Sequence, residues 1–152
     1  RAGLQSVHAE ILEYLDRCNR YSNTAQALGD YLGLTKGSIS QSLKLLENKG
    51  LIRRKPCPQD KRTSRLSLTE GGVEALGRLR ENLPDLPAGA DTQGLPVLLR
   101  AWQQAHGFQS FALCASCRFN QPQAGGGAIC GLTGEMLSEA ETGKICRDHE
   151  FA

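Results

Sequence analysis

The chain has 152 residues, of which 39% are hydrophobic and 5% aromatic, and a formal net charge of +2. This length fits one domain, or one small domain with an appendage. No run of about 18 apolar residues exists, which excludes a membrane-spanning helix. No signal peptide is visible either, so we expect a cytoplasmic protein.

The charges are unevenly distributed along the chain. From Lys36 to Arg65 there are nine Lys or Arg residues against two acidic ones, Glu47 and Asp60. From Ala128 onward, acidic residues outnumber basic ones by five to two. A basic middle followed by an acidic tail predicts one part that binds a polyanion and another part with a different task.

The first third of the chain predicts three helices. Apolar residues recur at helical spacing from about residue 4 to residue 20, which indicates an amphipathic helix. A second, short helix follows a cap at Asn23 or Thr24, and Gly33 supplies the turn after it. Thr35 then caps a third helix, which ends at Gly50.

Two strands are predicted next, over residues 51–56 and 63–69, joined by a loop that contains Lys61 and Arg62. A fourth helix starts at Thr69 and runs to about Asn82. The Pro- and Gly-rich stretch that follows is typical of a linker.

This order of elements predicts a winged helix-turn-helix. A helix fits the major groove of DNA, and its small polar side chains can reach base edges and phosphates. A basic loop can lie along the backbone or enter the minor groove, where the negative potential attracts Arg. The alternative is that these charges form a solvated face of a helical domain. The residues expected to contact DNA are Lys36, Ser38, Ser40, Gln41 and Lys44 on the third helix, and Arg53, Arg54, Lys61, Arg62 and Arg65 in the wing.

The stretch LGLTKGSISQSLKLLENKGLIRRKP, followed by DKRTSRLSLTEGG, resembles the MarR family of bacterial transcriptional regulators. The resemblance covers roughly residues 4–82, and its most specific piece is the Asp60-x-Arg62 pair in the wing. It implies that Arg62 reaches the minor groove, that Asp60 orients the basic wing residues, and that the third helix lies in the major groove.

The family also forms dimers through helices at both chain ends. The long first helix that usually precedes the position of Leu4 is absent or cut off here, since the sequence begins at Arg1. Dimer formation is therefore expected to fall mainly on a helix over residues 97–112. The expected partners are a second copy of the chain and double-stranded DNA with a pseudo-palindromic operator, with no membrane contact.

Four of the six cysteines cluster at the carboxy-terminal end, as Cys114-x2-Cys117-x12-Cys130-x15-Cys146, and His149 follows. Without a secretory signal, this spacing favours a metal or cluster site over disulfides. Four thiolates suffice for a tetrahedral zinc ion or for the corners of an iron–sulfur cluster. His149 remains open as a surface residue, a ligand in place of Cys146, or a hydrogen-bond donor to a cluster sulfur.

The segment CASCRFNQPQAGGGAICGLTGEMLSEAETGKIC resembles the cluster-binding stretch of high-potential iron–sulfur proteins, with Phe119, Gly134, Leu137 and Gly143 at matching positions. The resemblance implies that the four cysteines hold an iron–sulfur cluster, of the 4Fe-4S type first and the 2Fe-2S type second. One structural zinc ion is the alternative, held either by the four cysteines or by three cysteines and one histidine.

The fold class predicted is mainly α with a small β-wing. The parts are a DNA-binding domain at 1–82, a linker at 83–96, a dimerisation helix at 97–112 and a loop-rich cysteine module at 113–152. The predicted function is a sequence-specific regulator, expected to repress, whose cluster senses redox state or iron status. The alternatives are a regulator with a structural zinc, or a transcription-initiation adaptor. No constellation of catalytic residues indicates an enzyme.

Overall fold

The computed structural model describes residues 4–57, 63–81, 94–107 and 109–152. The chain divides into two compact units, Arg1–Asn82 and Leu83–Ala152. The tip of the wing, which contains Asp60, Lys61 and Arg62, lies outside the described residues, and so does most of the predicted linker. Within the described part of the chain, no helix is long and apolar enough to cross a bilayer.

The first unit has the predicted order of a winged helix-turn-helix. Its hairpin pairs in antiparallel register, with Arg54 opposite Leu66. The elements are α1 (Ser6–Arg17), α2 (Ala25–Leu32), α3 (Lys36–Asn48), β1 (Ile52–Pro56), β2 (Ser64–Leu68) and α4 (Glu70–Glu81).

The helix-turn-helix segment is fixed by local capping. The Thr24 side chain accepts a hydrogen bond from the amide of Ala27, and the Thr35 side chain accepts one from the amide of Ser38. Between them, Gly33 ends α2 with φ 65°, a left-handed conformation that glycine adopts without steric cost. The predicted caps and turn are therefore found at the expected positions, and they set the direction in which α3 leaves α2.

The core of this unit is built almost entirely from aliphatic side chains, as the low aromatic content requires. The fully buried residues include Ile11, Leu12, Leu28, Ile39, Leu43, Leu46 and Leu66, together with Tyr14. Burying one such aliphatic side chain stabilises the fold by roughly 1.5–3 kcal/mol. Because Ile39, Leu43 and Leu46 all point inward, the opposite face of α3 is left to solvent.

The described residues of the second unit form one longer helix, a short one and a set of short strands. Strands β3 and β7 form a two-stranded antiparallel sheet, and β4, β5 and β6 form a three-stranded one. The elements are α5 (Leu95–Ala105), β3 (Ala112–Leu113), a 3-10 turn (Cys114–Ser116), β4 (Asn120–Pro122), β5 (Ala128–Cys130), β6 (Met136–Leu137), α6 (Glu139–Thr142) and β7 (Ile145–Cys146).

The predicted dimerisation helix over 97–112 is wrong at its carboxy-terminal end. Helix α5 stops at Ala105, and Gly107 has φ 63°. Ala112 and Leu113 then form a strand that pairs with Cys146 and Ile145. The backbone hydrogen bonds that a longer helix would have made are replaced by this pairing, which ties the first cysteine region to the last.

Candidate functional site

The outward face of α3 carries all five residues predicted to read DNA from this helix. Each of them is exposed, and they project away from the buried stripe of α3. They are Lys36, Ser38, Ser40, Gln41 and Lys44. A face of small polar and cationic side chains on a helix held by a rigid turn has the shape and chemistry that the major groove accepts.

The described arginines of the wing differ in their exposure and in their hydrogen-bond partners within the domain. Arg53 is exposed, and its Nε donates to the hydroxyl of Ser67 on the facing strand at 3.0 Å. Arg54 is half-buried, and its Nε donates to the Glu47 carboxylate at 3.1 Å, which joins β1 to the end of α3. Since Glu47 belongs to α3, this ion pair connects the hairpin to that helix.

Arg65 is turned towards the loop between α1 and α2. One of its terminal nitrogens donates to the backbone carbonyl of Tyr21 at 2.8 Å and to the side-chain oxygen of Asn23 at 3.3 Å. Residue 65 also forms an isolated β-bridge with Thr24, which caps α2. The guanidinium therefore links the wing to the start of the helix-turn-helix. Contact with DNA by Arg53, Arg54 and Arg65 stays a prediction, and Lys61 and Arg62 lie outside the described residues.

The first cysteine pair flanks the 3-10 turn of the second unit. Cys114 and Cys117 are both buried, and the amide of Cys117 donates to the carbonyl of Cys114 at 3.0 Å. Burial raises the pKa of the Cys114 thiol, and the charges of Cys117 and Cys130 raise it further. The amide nitrogen of Asn120 lies 3.6 Å from the Cys114 sulfur and opposes this shift.

Cys130 lies at the end of β5, where the chain turns back towards β6. The amide of Gly134 donates to the carbonyl of Cys130 at 2.7 Å and closes this turn. Burial alone would raise the pKa of the Cys130 thiol. Hydrogen bonds from the side chain and amide of Thr133 and from the amide of Leu132 outweigh burial, so the pKa lies below its usual value. The turn therefore favours a thiolate at this position.

Cys146 lies in β7, half-buried, opposite Ala112. The strand pairing thus places the fourth cysteine beside the segment that leads into the first. Among the residues the structure describes, however, no three side chains of His, Cys, Asp or Glu are arranged so that they could hold a metal ion. By donor chemistry alone, the four thiols match the ligand set of a zinc ion or of an iron–sulfur cluster.

His149 is buried and hydrogen-bonded through both ring nitrogens. Its Nδ1 lies 2.9 Å from the hydroxyl of Ser110, and its Nε2 lies 3.0 Å from the hydroxyl of Ser116. Burial lowers the pKa of His149; a hydrogen bond with Ser116 opposes this shift, and the charge of Arg100 adds to it. With both nitrogens occupied, the ring has no lone pair directed at a metal, so this arrangement does not favour a zinc site with three cysteines and one histidine.

An open cleft of about 590 Å³ borders this histidine. It is lined by Gln103 of α5, by Ser110 and by residues near the end of the chain, Phe151 among them. Arg147 contributes a positive charge, while Asp148 and Glu150 contribute negative ones. This mixture of charges favours neither an anion nor a cation as a ligand.

Sequence reasoning did not identify the partners of these functional groups. Asn120 and Thr133 beside the thiols, and Ser110 and Ser116 beside His149, are ordinary polar residues in the sequence. Only Thr133-Gly134, just after Cys130, carries a recognisable turn signal. The other three become visible through contacts between residues that are up to 39 positions apart.

Part of the first unit is similar in sequence to known proteins. Residues 2–63 match the sequence model of the MarR family. The organic hydroperoxide resistance transcriptional regulator of Bacillus subtilis is 38% identical over 64 residues, which are 42% of this chain and 41% of that protein. The HTH-type transcriptional regulator MhqR of the same organism is 34% identical over 89 residues, 59% of this chain and 58% of that protein.

The chain thus spans about half the length of these curated relatives. Solved structures show the same fold at lower identity. The Staphylococcus aureus MepR–DNA complex matches with a TM-score of 0.52 and 21% identity, over 69% of this chain and 82% of that one. A MarR regulator from Methanosarcina mazei Go1 matches with a TM-score of 0.51 and 23% identity, over 68% and 81%. Residues 2–63 are therefore similar in sequence to the MarR family, and the first unit has the winged-helix fold seen in these solved structures.

Proposed function

We propose that this chain is a DNA-binding transcriptional regulator that reads a specific operator, with repression as the expected mode. The observation that carries the proposal is the exposed polar and cationic face of α3, which the Arg54–Glu47 pair joins to a basic hairpin. Both curated relatives are named as transcriptional regulators, and one solved structure with this fold is a complex with DNA. The proposed activity is binding rather than catalysis.

We propose further that the regulator is a homodimer that meets DNA at two half-sites. Helix α5 supports this, because five of its large apolar side chains are more than half exposed. Such a face loses contact with water when a second copy covers it. These side chains are Leu95, Val97, Leu98, Leu99 and Trp102.

For the cysteine module we propose an iron–sulfur cluster held by Cys114, Cys117, Cys130 and Cys146, with a 4Fe-4S cluster expected before a 2Fe-2S one. One zinc ion on the same thiolates is the second candidate. The small size of the module's apolar core supports the proposal of a bound metal centre. Apart from the cysteines, the module buries few apolar side chains, and these are chiefly Ala128, Leu137 and Ile145. Units of this size usually need a metal or a covalent link to fold.

A centre of this kind would make the regulator responsive. When bound, a cluster supplies a state that oxidation or iron loss can change. The module's short strands would lose their support with it, and the surroundings of α5 would change. A small change in the spacing of two reading helices weakens binding to both half-sites together. Sensing of redox state or iron status is therefore proposed, not catalysis at the centre.

The DNA-binding proposal is tested by selecting a preferred duplex from a random pool and measuring affinity by fluorescence anisotropy. We expect one pseudo-palindromic sequence to bind at least ~10³-fold more tightly than random DNA. The Lys36→Ala/Lys44→Ala double variant should weaken binding, while Lys144→Ala, in the cysteine module, should not. Equal affinity for all duplexes would point instead to the initiation-adaptor alternative, and no binding to any duplex would reject both.

The cysteine proposal is tested on protein purified without oxygen. Iron, acid-labile sulfide and zinc are quantified, and the visible spectrum is recorded. Iron and sulfide in equal amounts, lost together in the Cys130→Ala variant, would support the cluster. Stoichiometric zinc without colour would replace it with the zinc alternative. If holo and metal-free protein bind the operator equally, the centre has a structural role only.

A further inference from the structure

The last turn of the chain joins the cysteine pair to helix α5. We define residues 147–151 as the strap. On one side, the amide of Arg118 donates to the carbonyl of Glu150 at 2.8 Å, and Cys117 forms a β-bridge with Phe151. On the other side, the Arg100 guanidinium of α5 lies 4.3 Å from the centre of the Phe151 ring. The strap thus has contacts with both elements.

His149 occupies the middle of the strap and is 3% exposed. Its Nε2 lies 3.0 Å from the hydroxyl of Ser116, which sits between Cys114 and Cys117 in the 3-10 turn. Its Nδ1 lies 2.9 Å from Ser110, a few residues after the end of α5. The Ser110 hydroxyl also donates to the carbonyl of His149 at 2.8 Å. One rigid ring therefore bridges the two segments.

We propose that His149 is a positioning residue that transmits the state of the cysteine site to α5, and that it is not a metal ligand. This inference rests on the proposed function of the cysteine module. The geometry carries it: Ser116 belongs to the Cys114–Cys117 turn, and the buried ring of His149 connects Ser116 to Ser110. Because the ring is buried and each of its nitrogens lies within hydrogen-bond distance of a serine hydroxyl, it has little room to move independently of these two serines.

A natural reporter is present, because Trp102 is the single tryptophan of the chain and lies on α5, half exposed. In wild-type protein we expect removal of the bound metal with a chelator, under reducing and oxygen-free conditions, to shift the emission maximum of Trp102. In His149→Gln and in Ser110→Ala, we expect unchanged metal content and loss of that shift. Gln123→Ala, at an exposed turn of the same module, should keep both.

The outcomes of this experiment distinguish the proposed metal site from the proposed link through His149. If the wild-type protein holds no metal, the function proposed for the cysteines fails and this inference fails with it. If the wild-type protein shows the shift and the two variants keep it, the link through His149 is wrong while the metal site stands. If His149→Gln loses its metal although Ser110→Ala retains it, His149 is a ligand and the inference is overturned. Ser110→Ala keeps the test decisive if the histidine variant does not fold.

Discussion

Gly72, in the first turn of α4, lies directly against the backbone carbonyl of Leu51, the residue before β1. A Cβ atom at position 72 would overlap that carbonyl oxygen, and backbone cannot move aside as a flexible side chain can. The close approach lets α4 start immediately beside the beginning of the hairpin. We therefore expect Gly72→Ala to lower the free energy of unfolding by about 1–3 kcal/mol, measured by urea denaturation followed by circular dichroism.

Gly77 is the matched control for this substitution. It lies in the same helix with open space where a Cβ would be placed. Gly77→Ala should raise the free energy of unfolding by roughly 0.5–1 kcal/mol, because alanine has the higher helix propensity. Equal effects of the two substitutions would show that the approach to Leu51 does not limit position 72.

Arg65 and Lys44 should respond differently to salt. Lys44 is exposed on the reading face of α3, whereas Arg65 is committed to the Tyr21 carbonyl and Asn23. If Lys44 neutralises a phosphate, Lys44→Ala should reduce the slope of log affinity against log salt by about 1. Arg65→Ala should weaken DNA binding and lower stability without changing that slope, since its role is to position the wing.

The comparison is made by fluorescence anisotropy with one operator duplex at several salt concentrations. Arg65→Lys is the informative companion, because lysine keeps the charge but cannot reproduce the two directed donors. A slope reduced equally by Arg65→Ala and Lys44→Ala would mean that Arg65 contacts phosphate after all, as the sequence predicts.

His8 should make the first unit less stable in mild acid. Burial lowers the pKa of His8, and the charge of Lys49 lowers it further; its Nδ1 also accepts a hydrogen bond from the amide of Gln5 at 3.0 Å, which requires the unprotonated ring. Because the pKa is lower in the folded state than the ordinary value of 6.5, the stabilisation is present above that value. It is lost as the pH falls through it towards the folded-state pKa.

His8→Gln tests this assignment, because a glutamine oxygen can still accept from the Gln5 amide and complete the cap of α1. We expect the urea midpoint of the wild type to fall more between neutral and mildly acidic pH than that of the variant. Parallel pH profiles for the two proteins would assign the acid sensitivity to other groups.

The thiols should differ in reactivity once the protein is reduced and metal-free. Hydrogen bonds lower the pKa of Cys130, while burial raises that of Cys114. The thiolate is the reactive form, so iodoacetamide at neutral pH should modify Cys130 first. Thr133→Ala removes one donor to Cys130 and should slow its modification, as measured by mass spectrometry of the peptides. Thr142→Ala is the control, because the Thr142 hydroxyl donates to the backbone carbonyl of Glu139. Faster labelling of Cys114 than of Cys130 would contradict the prediction.

The winged helix could be predicted from sequence because its signals are local. Thr24, Gly33 and Thr35 define the helix-turn-helix through contacts no more than a few residues apart. The second unit could not be predicted in the same way. The strand at Ala112–Leu113 exists only because Ile145–Cys146, more than 30 positions later, pairs with it. The environment of His149 depends on partners equally distant in the chain.

The difference between local and distant contacts also explains why the sequence predicts DNA contact for Arg65. A sequence shows that Arg65 is charged but not that its guanidinium faces the carbonyl of Tyr21. Charge density indicates the region expected to bind DNA, and hydrogen-bond geometry distinguishes the exposed cations of α3 from Arg65, which is held within the domain.

The exposed apolar side of α5 has a consequence for how the molecule behaves in dilute solution. When association covers such a surface, folding and assembly share one equilibrium, so heat resistance depends on how much protein is present. The melting temperature should rise as the sample is concentrated and should lose that dependence in a Leu98→Glu variant. Inside a cell, the concentration of this protein would then determine the fraction of it that is folded.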